Sequence, residues 1–105
     1  MENIIDKIQL LTGADDNQLE LLETIVYLVE SKVLNRIGEL EIPKKLEFIV
    51  IELCVARFNR IGSEGLKSES VDGAVQTYEN ELEAYEPIFE KYMEKKDNTK
   101  RLRMI

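Results

Sequence analysis

Residues 57–79 read RFNRIGSEGLKSESVDGAVQTYE, and the reading of this stretch decides the fold. It leaves a strongly apolar helical run, passes Gly62 and Gly65, and carries no aromatic side chain from Asn59 to Thr77. It closes on Gln76-Thr77-Tyr78-Glu79, where a charged helical segment begins. Connections this long are uncommon inside a compact domain and are usually functional or disordered. The pattern therefore predicts helices on both sides of a loop over 63–77, with room for a short hairpin. The loop has little of its own to bury, so it is expected to be mobile in a free protomer and ordered by neighbouring copies.

Upstream, Ile4, Ile5, Ile8 and Leu11 recur at helical spacing, and Gly13 is placed to end that short helix in a left-handed cap. Asp15-x-x-Gln18 has the form of a capping box. It opens a second helix expected from about Asn17 to Ile37 and closed by Gly38. Leu19, Leu22, Val26, Val29 and Val33 form its apolar stripe, which Leu21, Ile25, Leu28 and Leu34 widen to about half the cylinder. A stripe that broad suits a central helix, or one that also meets a neighbouring subunit.

Pro43 suits the first turn of a third helix, where its missing N–H costs nothing. Leu46, Ile49, Val50, Leu53, Cys54 and Arg57 then share one face. The β-branched run Ile49-Val50-Ile51 favours a strand by composition, but charges return at Glu47, Glu52 and Arg57 rather than at alternate positions, so a helix is expected. Tyr78 to Lys96 is helical in composition with Pro87 inside it. An interior proline costs about 3 kcal/mol, so a break is expected near Tyr85-Glu86, with Pro87 opening a final short helix anchored by Tyr85, Ile88, Phe89 and Tyr92. The fold class is all-α: a small bundle of about four helices with a long loop between the third and fourth. Residues 1–95 form one helical domain and 96–105 a basic C-terminal tail.

The 105 residues allow one core, and 44% hydrophobic with 33% charged content describes a foldable soluble chain. No segment approaches the roughly 18 uninterrupted apolar residues of a membrane span, and the acids near the N-terminus are unlike a secretory signal. Cys54 is the single cysteine, so no disulfide forms within the chain, and its apolar setting suits a buried small hydrophobe in a reducing compartment. Residues 1–90 carry 8 Lys and Arg against 19 Asp and Glu, and residues 91–105 carry 6 against 2, together the formal net charge of −7. An acidic body of this kind disfavours ordinary duplex binding.

With no histidine and one cysteine, zinc sites and histidine-based triads are excluded. Glu79/Glu83 and Glu86/Glu90 read as solvated acidic faces, and Asp15-Asp16-Asn17 as a cap rather than a calcium loop. Arg36, Arg57 and Arg60 could grip an anion, but pairing with the abundant glutamates is the simpler expectation. Gly62 and Gly65 lack the Lys-Ser/Thr of a phosphate loop. A helical enzyme of the chorismate-mutase type needs more convergent Arg and Lys than facing helices supply. No catalytic residue, metal or cofactor is expected.

Arg57-Phe58-Asn59-Arg60, Gly62-Ser63-Glu64-Gly65, Ser68-Glu69-Ser70 and Thr77-Tyr78-Glu79 together resemble the head-tail connector (adaptor, or head-completion) proteins of long-tailed bacteriophages. The resemblance covers roughly residues 15–95. It implies a non-enzymatic, all-helical protomer forming a ring, a dodecamer in the virion, on the portal protein. That ring extends the DNA channel and offers a docking surface to a stopper or other head-completion or tail component. Double-stranded DNA passes without sequence-specific binding, and no membrane is involved. The implied location is the head-tail junction, after synthesis in the host bacterial cytoplasm. On this reading Arg57, Asn59, Arg60, Glu64, Ser68, Glu69, Ser70 and Tyr78 are expected at the assembly interface. Lys95, Lys96, Lys100, Arg101 and Arg103 are expected at the portal, with Leu102, Met104 and Ile105 as apolar anchors. The competing class is a small acidic helical regulatory protein, phage-encoded or bacterial, that binds one helical partner.

Overall fold

The computed structural model describes the backbone of residues 4–64 and 81–104, and the side chains of residues 4–61 and 81–96. The expected hairpin, the Ser68-Glu69-Ser70 segment and Tyr78 lie outside the described residues. Four α-helices organise what is described: α1 (Ile4–Thr12), α2 (Leu19–Ile37), α3 (Glu47–Glu64) and α4 (Glu86–Met104). Single 3-10 turns precede α2 and α3, at Asp16–Gln18 and Lys44–Leu46, and residues 81–83 form a helical turn before α4. There is no strand among the described residues.

Local chemistry sets each boundary. Gly13 ends α1 at φ 76°, with its N–H donating to the Gln9 carbonyl at 2.8 Å. A left-handed backbone of this kind suits glycine because it lacks a Cβ. The capping box forms as its sequence indicates: the Asn17 N–H donates to Asp15 Oδ1 at 3.0 Å, and the Asp15 N–H donates to Gln18 Oε1 at 3.3 Å. Gly38 closes α2 at φ 71°, and the Gly38 and Glu39 N–H groups both donate to the Leu34 carbonyl. Pro43 stands one residue earlier than expected, extended at ψ 141° as the cap of the Lys44–Leu46 turn, and its carbonyl accepts the Leu46 N–H at 2.9 Å.

One core joins α1, α2 and α3. Ile8, Leu22, Ile25, Val29, Val33, Ile37, Leu46, Ile49, Val50, Leu53 and Cys54 are all buried, and Phe89 is the buried contribution of α4. The α3 face appears as its periodicity indicates, with Arg57 half-buried at its end. The broad stripe of α2 divides. Ile25 joins the core and Leu34 is half-buried, but Leu21 and Leu28 face solvent.

Two expectations on length are corrected. The loop expected from Ser63 begins later, because α3 continues through Gly62 to Glu64. A glycine in a helix costs about 1 kcal/mol relative to alanine, and Ile61, packed against the core just before it, holds that turn down. The final helix is not short. The chain does break at Ala84-Tyr85 and Pro87 does sit in the first turn of α4, but the helix then runs 19 residues. Beyond Pro87 the chain has neither glycine nor proline and is rich in Glu, Lys and Arg, which are good helix formers.

Candidate assembly surface

α4 is fastened to the body by buried Phe89, by half-buried Tyr92 packed against the core, and by a set of polar clasps. Arg36, in the last turn of α2, meets Glu86, the first residue of α4. Its Nε donates to Glu86 Oε1 at 2.7 Å and Oε2 at 3.0 Å, its Nη2 also donates to Oε1, and its Nη1 reaches Met93 Sδ at 3.0 Å. The guanidinium's hydrogen bonds hold the Glu86 carboxyl below its ordinary pKa. A second clasp centres on Glu39, just past Gly38. It accepts from the Tyr92 hydroxyl and lies 3.0 Å from Lys96 Nζ. The hydrogen bond to Glu39, with burial second, raises the Tyr92 phenol above its usual range. In the break before α4, the Tyr85 hydroxyl donates to Glu52 Oε1 at 2.5 Å, and burial first, then that bond, push its pKa up to about 12.

A third contact ties α3 to the turn at 81–83. Arg60 Nη2 donates to Glu81 Oε1, while Glu81 Oε2 is buried without a hydrogen-bond partner. On the same end of α3, Arg57 is half-buried and Asn59 is exposed. Of the residues expected at the assembly interface, Arg57, Asn59, Arg60 and Glu64 therefore fall on the last two turns of α3. Of those expected at the portal, Lys95 is exposed on α4 and Lys96 is engaged with Glu39 in its own protomer. Lys100, Arg101 and Arg103 lie on the backbone of the same helix.

Periodicity missed the clasp residues. Glu86 reads as half of a solvated acidic pair, yet it is the partner of Arg36 across 50 positions of sequence. Tyr92 is legible as an apolar anchor, but nothing local joins its hydroxyl to Glu39. Pro87 is the one clue, because it marks Glu86 as standing at a helix start, where an acid complements the helix dipole.

The surface left over is of two kinds. Large apolar side chains stand in solvent: Leu40 is 97% exposed, Leu10 85% and Tyr27 69%. Separately, Lys45, Leu46, Ile88, Lys91, Tyr92 and Lys95 line an open cleft of about 150 Å³. Lys45 Nζ lies 5.0 Å from the centre of the Tyr92 ring, within cation–π range. The Cys54 thiol is buried in the core and pushed up to about 12, by burial first and the Glu30 charge second, which keeps it protonated and inert. Among the described residues no group of acids and cysteine is placed to hold a metal ion, and no helix is long and apolar enough to cross a membrane.

Among the described residues the chain is helical, its long-range ion pairs tie α2 and α3 to the start of α4, and several large apolar side chains stay in solvent. The chain belongs to the phage gp6-like head-tail connector protein family, whose pattern matches residues 3–93. The family is one of structural connectors of the phage particle rather than of catalysts. Comparisons with curated proteins and with solved structures give no match.

Proposed function

We propose that this protein forms a closed ring, a dodecamer in the virion, on the portal at the head-tail junction. There it extends the DNA channel and presents its far face to a stopper or other head-completion or tail component. The observation that carries this reading is the family match across residues 3–93. Leu10, Tyr27 and Leu40 stand exposed on the protomer and are available to a neighbouring copy. Rings of identical protomers use heterologous interfaces that close on themselves. The Arg57–Glu64 end of α3 and the segment that follows, with Ser68, Glu69, Ser70 and Tyr78, form one side of that interface. The acidic body lets double-stranded DNA pass without adhering. The basic end of α4, with Lys100, Arg101 and Arg103, meets an acidic surface of the portal. The protein is made in the host cytoplasm, is not an enzyme and needs no cofactor.

The test is genetic. A phage unable to make the protein is expected to fill its heads with DNA and to accumulate them without tails. Normal infectious particles from that mutant would refute the proposal.

A further inference from the structure

The cleft beside α4 gathers three lysines on a molecule whose net charge is −7. Ile88, Lys91, Tyr92 and Lys95 recur at helical spacing on one face of α4, and Glu90 and Glu94 fall on the other. Lys45 comes from the turn before α3, so two elements bring three ammonium groups around a floor of Leu46, Ile88 and Tyr92. The floor is preset: the Tyr92 hydroxyl is held by Glu39 and its ring lies under Lys45. A space of about 150 Å³ is well below the roughly 300–1,000 Å³ of a metabolite pocket. It has the size of one or two inserted side chains. Its chemistry calls for acids around an apolar or aromatic group.

The outward face of α2 supplies that pattern. Glu20, Glu23 and Tyr27 lie on the side of α2 opposite buried Leu22, Val29 and Val33, with Leu28 exposed on the flank. Tyr27 stands clear of the surface between the two carboxylates and Ser31. The two patches share no residue and no helix, so one protomer can use both at once. A patch that fits a different patch on an identical copy makes the head-to-tail contact from which rings are built.

We propose that the Lys45–Lys91–Lys95 cleft receives the Glu20–Glu23–Tyr27 face of a second copy of this chain, with Tyr27 inserted over Ile88 and the lysines paired with the glutamates. This rests on the ring reading above and adds to it a second contact between neighbouring copies, beside the one at the Arg57–Glu64 end of α3. Rim charges of this kind set register and orientation more than raw affinity, and their screening makes the contact weaken as salt rises.

The test compares the wild-type chain, K91E/K95E, E20K/E23K and the chain carrying all four reversals, each sedimented alone and with portal rings. Circular dichroism first establishes that each is folded; all four positions are exposed. Each double variant is expected to lose self-association by about tenfold or more, and the four-fold variant to regain it with the charges exchanged. Wild-type rings that persist unchanged in both double variants overturn this contact and leave the ring reading standing. So does a K91E/K95E chain that self-associates normally but leaves the portal, since the cleft would then serve another partner. A wild-type chain that never self-associates, with or without portal, overturns the contact and the ring reading together.

Discussion

Arg36 and Glu86 close a two-pronged ion pair between the end of α2 and the start of α4, with Nε 2.7 Å from Oε1 and 3.0 Å from Oε2. Each residue is also well placed for its own helix. A cation at a helix C-terminus and an acid at an N-terminus both complement the helix dipole. The pair therefore sets the direction in which α4 leaves the body, and with it the position of every basic residue on that helix.

Replacing Glu86 by glutamine is expected to cost about 1 kcal/mol, the value of a well-formed but partly exposed pair. The Glu86 carboxyl titrates below its ordinary value of 4.5 in the folded chain. Its contribution is thus present above pH 4.5 and is lost as pH falls through the lower folded value. Melting curves of wild type and E86Q should differ at neutral pH and converge in acid. Curves separated equally at all pH values would contradict this account.

Phe89 is the sole buried side chain described on α4. Truncation to alanine is expected to cost about 3–5 kcal/mol. Because α1, α2 and α3 keep the rest of the core, α4 should open first. Hydrogen exchange on F89A should show loss of protection over residues 86–96 before residues 19–37. A single concerted loss across all helices would show that α4 is integral rather than clasped on.

Much of this was legible from spacing alone. Gly13, the Asp15/Gln18 box, Gly38 and the buried face of α3 follow from local rules, because each depends on neighbours within a turn or two. The length of α4 was missed since Lys and Arg near a terminus suggest a solvated tail, whereas their propensity, with no glycine or proline after Pro87, continues the helix. The clasps were missed for a deeper reason. Arg36 with Glu86, and Glu39 with Tyr92 and Lys96, join residues that no periodicity connects. The choice among many glutamates is made by how the helices pack.

Glu30 is a half-buried acid on α2. Burial first, and the charge of Glu47 second, raise its pKa above 4.5 in the folded chain. An ionised Glu30 therefore opposes folding: the native state is favoured while the group is protonated, and that advantage is lost as pH rises from 4.5 through the folded value. Glu30→Gln is expected to stabilise the protein by about 0.5 kcal/mol at neutral pH, with the gain gone in acid. A glutamine variant that melts below wild type at pH 7 would overturn this reading.

A chain ending after Asp97 keeps Phe89, Tyr92 and Lys96 and so keeps every described contact of α4. It should fold with an unchanged thermal midpoint. It should also lose attachment to the portal, through loss of Lys100, Arg101 and Arg103. Attachment as strong as that of the full chain would remove the end of α4 from the portal contact.

The most direct measurement is an electron micrograph of the purified protein mixed with portal rings of the same phage. The account predicts a continuous second tier of density with closed rotational symmetry on one end of the portal, leaving the channel open along its axis. Bare portals beside dispersed protein, at concentrations of both that saturate any specific contact, would contradict it.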